Sequence, residues 1–130
     1  MLASTSIFPH FIAYFNPLVG GPKNVYRKVV DSNLDWGQDL KRLKFYMDDK
    51  KINKINLSYF GHADPAYYGI NNSSFDQADK YIKGYTAIST TKMMSARPYE
   101  KNGQKISFDW LKNQKPIDNI GYSILIYNLK

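Results

Sequence analysis

A strand, a helix and a second strand can be traced over residues 25–60, and this succession constrains the fold more than any other feature. Residues 25–30 are rich in valine and are predicted to form a strand. Residues 54–60 alternate apolar and polar side chains, as a half-buried strand does. Between them, apolar residues recur at the spacing of one helical face: Trp36, Leu40, Leu43 and Met47. Two strands joined by a helix over so short a stretch form a parallel β-α-β unit, here at residues 25–60.

The rest of the chain extends this unit into a small α/β domain. Further strands are predicted at residues 85–90 and 121–129, and a short helix at residues 108–113. Residues 71–79 are polar and expected to be exposed, and residues 97–104 are expected to form a loop. The predicted fold is therefore a two-layer or three-layer α/β domain with four to five strands in a mixed or mostly parallel sheet.

The length of 130 residues fits one domain, and 43% hydrophobic residues are enough for a core. We assign residues 23–130 to this α/β domain. Residues 1–22 form an aromatic segment that is expected to pack on the domain or lie near a membrane. Its first 19 residues contain two prolines and lack the basic start of a secretory signal. They are also too interrupted to span a bilayer, which needs about 20 largely apolar residues.

The net charge of +7 favours anionic neighbours such as lipid headgroups. Only three of the 18 basic residues are arginines, the residue on which specific phosphate and base recognition depends. Because the basic-aromatic motifs of common nucleic-acid-binding modules are also missing from the sequence, nucleic acid is not expected as a partner. The chain has no cysteine, which excludes disulfides, zinc-thiolate sites and thiol nucleophiles.

Two loops dense in polar and aromatic residues follow the two strands of the β-α-β unit. Residues 31–38 comprise the turn after the first strand and the start of the helix, and residues 61–69 follow the second strand. Because both leave the carboxyl ends of parallel strands, we expect them to be neighbours at one edge of the sheet. The side chains that could contact a ligand there are Asp31, Asn33, Asp35, Trp36, Gln38, His62, Asp64, Tyr67 and Tyr68.

Flat aromatic rings beside planar polar groups are the combination that sugars favour. The competing interpretation is structural: Trp36 belongs to the buried stripe of the helix, and Tyr67 and Tyr68 cover the edge of the sheet. Likewise, Asp31 and Asp35 can cap the helix that follows them.

A second hypothesis is a small independent hydrolase or metal-dependent enzyme that uses Asp31, Asp35, His62 and Asp64. Ser32 is a poor nucleophile candidate, because it lacks the glycine-flanked elbow of a hydrolase serine. The glycines at positions 20 and 21 precede the first strand and do not have the spacing of a dinucleotide-binding loop.

Several segments, in order along almost the whole chain, resemble the C-terminal extracytoplasmic region of bacterial and archaeal membrane glycosyltransferases of the protein mannosyltransferase group. They are His10-Phe-Ile-Ala-Tyr-Phe-Asn16, Gly20-Gly-Pro22, Val30-Asp-Ser-Asn-Leu-Asp-Trp-Gly-Gln-Asp-Leu-Lys-Arg-Leu43, Tyr59-Phe-Gly61, Ala63-Asp-Pro-Ala-Tyr-Tyr-Gly69 and Ile120-Gly-Tyr-Ser-Ile124.

The resemblance implies that a multi-helix membrane region precedes this part and carries the catalytic acid. This chain has no counterpart of that region, so we expect an excised or free-standing accessory domain that is not catalytic alone. Its expected role is to bind a glycan or acceptor, or to support the enzyme structurally, at the extracytoplasmic face of the membrane. Implied partners are the membrane-embedded glycosyltransferase region, a glycan or polyisoprenyl-phosphate sugar, and the membrane surface. No catalytic residue, metal or cofactor is assigned to the chain.

Overall fold

A computed structural model of the chain describes residues 39–130, and every structural statement below concerns this range. The helices within it are α1 (Leu40–Asp49), α2 (Thr90–Ser95) and α3 (Asp109–Lys112), together with a 3-10 helix at Pro65–Tyr68. The strands within it are β1 (Ile55–Ser58), β2 (Asn72–Ser74), β3 (Gly84–Ser89), β4 (Tyr99–Lys101), β5 (Gln104–Ile106), β6 (Asp118–Ile120) and β7 (Ile124–Leu129).

Five of these strands form a mixed sheet in the order β2-β1-β3-β7-β6. Strand β1 pairs in parallel with both β2 and β3, whereas β7 is antiparallel to β3 and to β6. The predicted α/β class and the mixed sheet are confirmed. The predicted strand at residues 25–30 lies outside the described residues, and both sides of β1 are occupied by β2 and β3.

Apolar side chains cover both faces of the sheet, as the alternation along β7 shows. Ile124 and Ile126 belong to the same buried cluster as α1, whereas Leu125 and Tyr127 belong to a cluster that contains residues of α2 and α3. Because neighbouring residues of a strand point to opposite faces, helices pack on both sides of the sheet. The described residues therefore form three layers, the first with α1 and the third with α2 and α3.

The predicted helical stripe is buried as expected. Leu40 and Leu43 are fully buried in α1, and Met47 is 2% exposed, all against the same sheet face. Trp36, the fourth residue of the predicted stripe, lies outside the described residues. Packing of these side chains fixes the orientation of α1 against the sheet, since helices of this length derive most of their stability from such contacts.

The short helix predicted at residues 108–113 is present as α3, but no sequence pattern predicts the short strands β2 and β6. Strands β2 and β6 have three residues each, which is too short for a pattern of alternation. Residues 71–79 are mostly exposed as predicted, but they include β2 and the buried side chain of Phe75.

The prediction of a loop at residues 97–104 is wrong, because β4 and β5 form a hairpin there. Its two-residue connection is Asn102-Gly103, with φ of 51° and 73°. Asn-Gly with two positive φ angles is the preferred sequence of a type I′ turn, so this hairpin had a local signal.

The strand predicted at residues 121–129 begins later, at Ile124. Residues 121–123 instead form the turn between β6 and β7, and Gly121 and Tyr122 in it have φ of 58° and 66°. These left-handed conformations are incompatible with continuing a strand. None of the helices in residues 39–130 has the length and apolar character needed to cross a membrane.

Candidate functional site

The structure describes one of the two loops that the sequence predicts to form a site. His62, Asp64, Tyr67 and Tyr68 lie in residues 59–69, the segment that follows the carboxyl end of β1 and that we call the β1 loop. Strand β1 has parallel neighbours on both sides, so its carboxyl end is a favourable place for a ligand. The other predicted site residues lie outside the described residues: Asp31, Asn33, Asp35, Trp36 and Gln38.

A capped 3-10 helix gives the β1 loop its shape. The Oδ1 atom of Asp64 accepts a hydrogen bond of 2.9 Å from the backbone N–H of Ala66, and Pro65 occupies the first helical position. Gly69 ends the helix with φ of 74°, a conformation that glycine adopts without strain. Asp64 therefore has a structural role as an N-cap, and this role holds the two tyrosines that follow.

The two tyrosines have different environments. The side chain of Tyr67 is 84% exposed, whereas Tyr68 is half-buried and packs against the cluster that contains α1. Their rings meet edge to face, with centroids 5.2 Å apart and planes at 88°. Tyr68 thus anchors the loop, and Tyr67 presents its ring to solvent with an aromatic neighbour beside it.

Exposed polar and aromatic groups accompany Tyr67 in the loop. His62 and Asp64 are exposed, and Phe60 is 39% exposed. The backbone N–H of Phe60 donates a hydrogen bond of 2.8 Å to the Oγ atom of Ser89, which ties the loop to the carboxyl end of β3. The β1 loop is therefore fixed at the shared carboxyl edge of two parallel strands.

Tyr59, the first residue of the β1 loop, has an altered acidity. Burial raises the pKa of its phenol above the ordinary value of 10.0, and the nearby carboxylate of Asp64 and the phenol of Tyr68 raise this pKa further. The phenol is therefore neutral at physiological pH and can donate a hydrogen bond.

The raised pKa of Tyr59 predicts a loss of stability at alkaline pH. The folded state favours the neutral phenol, so the stabilisation is complete below pH 10 and is lost as the pH rises through the folded-state pKa. Urea denaturation measures the free energy of unfolding between about pH 8 and about pH 11. Over this range it should decrease less in Tyr59→Phe than in the wild type. The control is Tyr81→Phe, since the side chain of Tyr81 is 82% exposed. Equal alkaline slopes in wild type and Tyr59→Phe would contradict the prediction.

A buried network joins the start of α1 to the same region of the sheet. Asp39, the residue before α1, is 1% exposed. Its Oδ1 atom lies 2.5 Å from the Nη1 atom of Arg42, and its Oδ2 atom accepts a hydrogen bond of 2.7 Å from the Oγ atom of Ser123. The carbonyl of Ser123 in turn accepts a hydrogen bond of 2.8 Å from the backbone N–H of Thr90, directly after β3. The start of α1, the β6-β7 turn and the end of β3 are thus tied together.

This network lies at the edge of the sheet from which the β1 loop also leaves. Ser89, the last residue of β3, binds the loop through Phe60, and its neighbour Thr90 binds the β6-β7 turn. Asp39 is therefore at the carboxyl edge of the parallel strands. The prediction that the two loops are neighbours involves residues 31–38, which lie outside the described residues, so it stays a prediction.

Sequence reasoning did not identify the residues of this network as a unit: Asp39, Arg42, Gly121 and Ser123. Asp39 and Ser123 are 84 residues apart, so no local pattern connects them. The available signals were an aspartate directly before Leu40 of the helical stripe and a glycine in the segment Gly121-Tyr-Ser123. A buried carboxylate requires partners, which the structure supplies through a serine and an arginine.

The enzyme hypothesis depends on Asp31 and Asp35, which lie outside the described residues. Within residues 39–130, no group of three or more His, Asp or Glu side chains could hold a metal ion. Of the two described residues of that hypothesis, Asp64 has the capping role described above.

The β1 loop presents the exposed ring of Tyr67 at the carboxyl edge of the sheet, together with polar side chains of the same loop. Such a surface can stack on an apolar face of a ligand and exchange hydrogen bonds with its hydroxyls. No protein-family model matches this chain, and no similar protein was found among curated proteins or solved structures.

Proposed function

We propose that this chain is an accessory domain of a membrane glycosyltransferase that uses a lipid-phosphate sugar donor. In this proposal the domain binds a glycan or acceptor through the β1 loop and is not catalytic alone. The observation that carries the binding role is the ring of Tyr67, which is 84% exposed on a loop at the carboxyl end of a parallel strand. The resemblance of residues 30–43, 59–69 and 120–124 to such glycosyltransferases supports the enzyme context.

The rigidity of the loop supports a binding role for Tyr67. The cap by Asp64, the fixed φ of Pro65 and the left-handed Gly69 restrain the backbone on both sides of the tyrosine pair. Tyr68 restrains the Tyr67 ring through the edge-to-face contact. A ring that is held in place before binding loses little conformational entropy when a ligand stacks on it.

Hydrogen-bonding groups in the loop suit the hydroxyls of a sugar. His62 is exposed and offers a ring nitrogen as donor or acceptor. The Oδ1 atom of Asp64 is used by the helix cap, whereas its Oδ2 atom accepts no hydrogen bond from residues 39–130. A sugar that stacks on Tyr67 would therefore have both an acceptor and a donor in the same loop.

The charge of the chain supports a position beside a membrane. Its net charge of +7 comes mainly from lysines, and each lysine near an anionic membrane surface contributes about 1 kcal/mol to attraction. We place the domain at the extracytoplasmic face, next to the membrane-embedded region of the transferase. A polyisoprenyl-phosphate sugar would reach the domain from that side.

The test is a titration of the isotope-labelled full chain with methyl α-mannoside and mannobiose, followed by NMR. We expect saturable shifts at the amides of His62, Tyr67 and Tyr68. Replacing Tyr67 with alanine should weaken binding about tenfold, because the stacking surface is lost. The matched control is Tyr81→Ala, since Tyr81 is 82% exposed and lies outside the β1 loop. This control should change the affinity less than about twofold.

Two results would overturn the binding role. One is the absence of saturable shifts in the β1 loop at millimolar ligand. The other is an equal loss of affinity in Tyr67→Ala and Tyr81→Ala, which would show that any exposed tyrosine contributes. In either case the domain would have the structural role that the resemblance also allows.

A further inference from the structure

A cavity of about 640 Å³ opens on the face of the sheet opposite α1. It lies between α2, the end of α3 and the segment that leads to β6, and it shares no residue with the β1 loop. Its lining includes Met93, Met94, Lys112, Lys115 and Tyr127. A volume of this size is typical of small-molecule binding sites.

The inner part of the cavity is apolar and adaptable. Met93 and Tyr127 are 3% and 2% exposed and belong to the core cluster of this face. The Tyr127 hydroxyl lies 4.0 Å from the Met93 sulfur. Met94 is half-buried and adds a second flexible thioether. Methionine side chains change shape readily, so this floor can fit alkyl or aryl groups of different outlines.

The outer part of the cavity is positively charged. Lys112 and Lys115 line it, and no aspartate or glutamate among residues 39–130 does. The Nζ atom of Lys112 is 3.9 Å from the Oδ1 atom of Asp109, which is a long ion pair at an exposed position. Lys115 forms no ion pair within residues 39–130. The amide side chains of Asn113 and Gln114 lie between the two lysines in the chain and add hydrogen-bond donors.

We propose that this cavity binds a small amphipathic anion. The alkyl or aryl body of the ligand rests on Met93, Met94 and Tyr127, and its single carboxylate, sulfonate or phosphate head lies between Lys112 and Lys115. An apolar floor beneath two cations, with no carboxylate among the described lining residues, is complementary to such a molecule. This site is separate from the β1 loop, and it does not depend on the function proposed for that loop.

The test uses naphthalene-2-sulfonate as the anionic probe and naphthalene-2-sulfonamide as its neutral counterpart, each titrated into the full chain. NMR signals of the methionine methyl groups report on the cavity. We expect saturable shifts at Met93 and Met94 with the sulfonate. In the double variant Lys112→Gln, Lys115→Gln, sulfonate binding should weaken about tenfold, while the weaker sulfonamide binding should change less than twofold.

The matched control is the double variant Lys54→Gln, Lys83→Gln, which removes the same charge from exposed lysines that precede β1 and β3. It should change sulfonate affinity less than about twofold. Tyr67→Ala should also leave the sulfonate affinity unchanged, which distinguishes the cavity from the β1 loop. The proposal is wrong if Met93 and Met94 do not shift, if both double variants lose affinity equally, or if the sulfonamide binds as tightly as the sulfonate.

Discussion

Replacing Gly121 with alanine is expected to lower the free energy of unfolding by about 3 kcal/mol. A Cβ at this position would overlap sterically with the carboxyl group of Asp39, which is buried and already bound by Arg42 and Ser123. Gly121 also has φ of 58°, where side chains are strained. The substitution therefore displaces a buried carboxylate from its partners in addition to straining the backbone. Urea denaturation measures the loss.

Gly103→Ala is the control that separates these two causes. Gly103 has φ of 73° in the hairpin turn, and a Cβ there would meet nothing within 4 Å. Its substitution should cost about 1 kcal/mol, from backbone strain alone. If Gly121→Ala and Gly103→Ala destabilise the protein equally, the contact between Gly121 and Asp39 is not important for stability.

Replacing Asp39 with alanine is expected to lower the free energy of unfolding by about 2 to 3 kcal/mol. The change leaves the buried hydroxyl of Ser123 without its acceptor and Arg42 without its counter-charge. Because the Arg42 side chain is 38% exposed, water can solvate its charge, which keeps the loss below that of a fully buried pair. The same denaturation experiment gives the value.

Asp48→Ala is the matched control for Asp39→Ala. Asp48 also forms an ion pair within α1, with Lys44, but its side chain is 59% exposed. Its removal should cost about 0.5 kcal/mol or less, as for most surface ion pairs. A loss of this small size for Asp39→Ala would show that the buried network does not stabilise the edge of the sheet.

The losses of stability from Gly121→Ala and Asp39→Ala should not add in the double variant. Once Asp39 is alanine, the carboxyl group that a Cβ at Gly121 would meet is gone. The double variant should therefore be more stable than the sum of the two single losses implies, by about 1 kcal/mol or more. Strict additivity would mean that the two residues act independently.

Local periodicity was sufficient to predict the main elements of the described residues. The spacing of Leu40, Leu43 and Met47 predicted the buried face of α1, and alternation around Ile55 and Leu57 predicted β1. Both signals work because each residue's burial follows from the geometry of its own helix or strand.

The candidate site was predictable in part for the same reason. A dense polar and aromatic loop after β1 was expected at the carboxyl edge of the sheet, and the β1 loop is there. Its internal shape was not predicted. The sequence predicts Asp64 as a ligand or acid, and its additional role as the cap of the 3-10 helix is visible only in the structure. Likewise, only the structure separates the anchoring Tyr68 from the exposed Tyr67.

The sequence by itself determined the α/β class, the buried stripe of α1 and the position of the β1 loop after a strand. These properties depend on residues a few positions apart, whose relative placement the backbone geometry fixes. Only the tertiary structure decided the sheet order, the short strands β2 and β6, the cavity beside α3, and the contact of Asp39 with Ser123. Each of these brings together groups distant in the chain, and their pairing depends on how the whole core packs and on the need to satisfy buried polar groups.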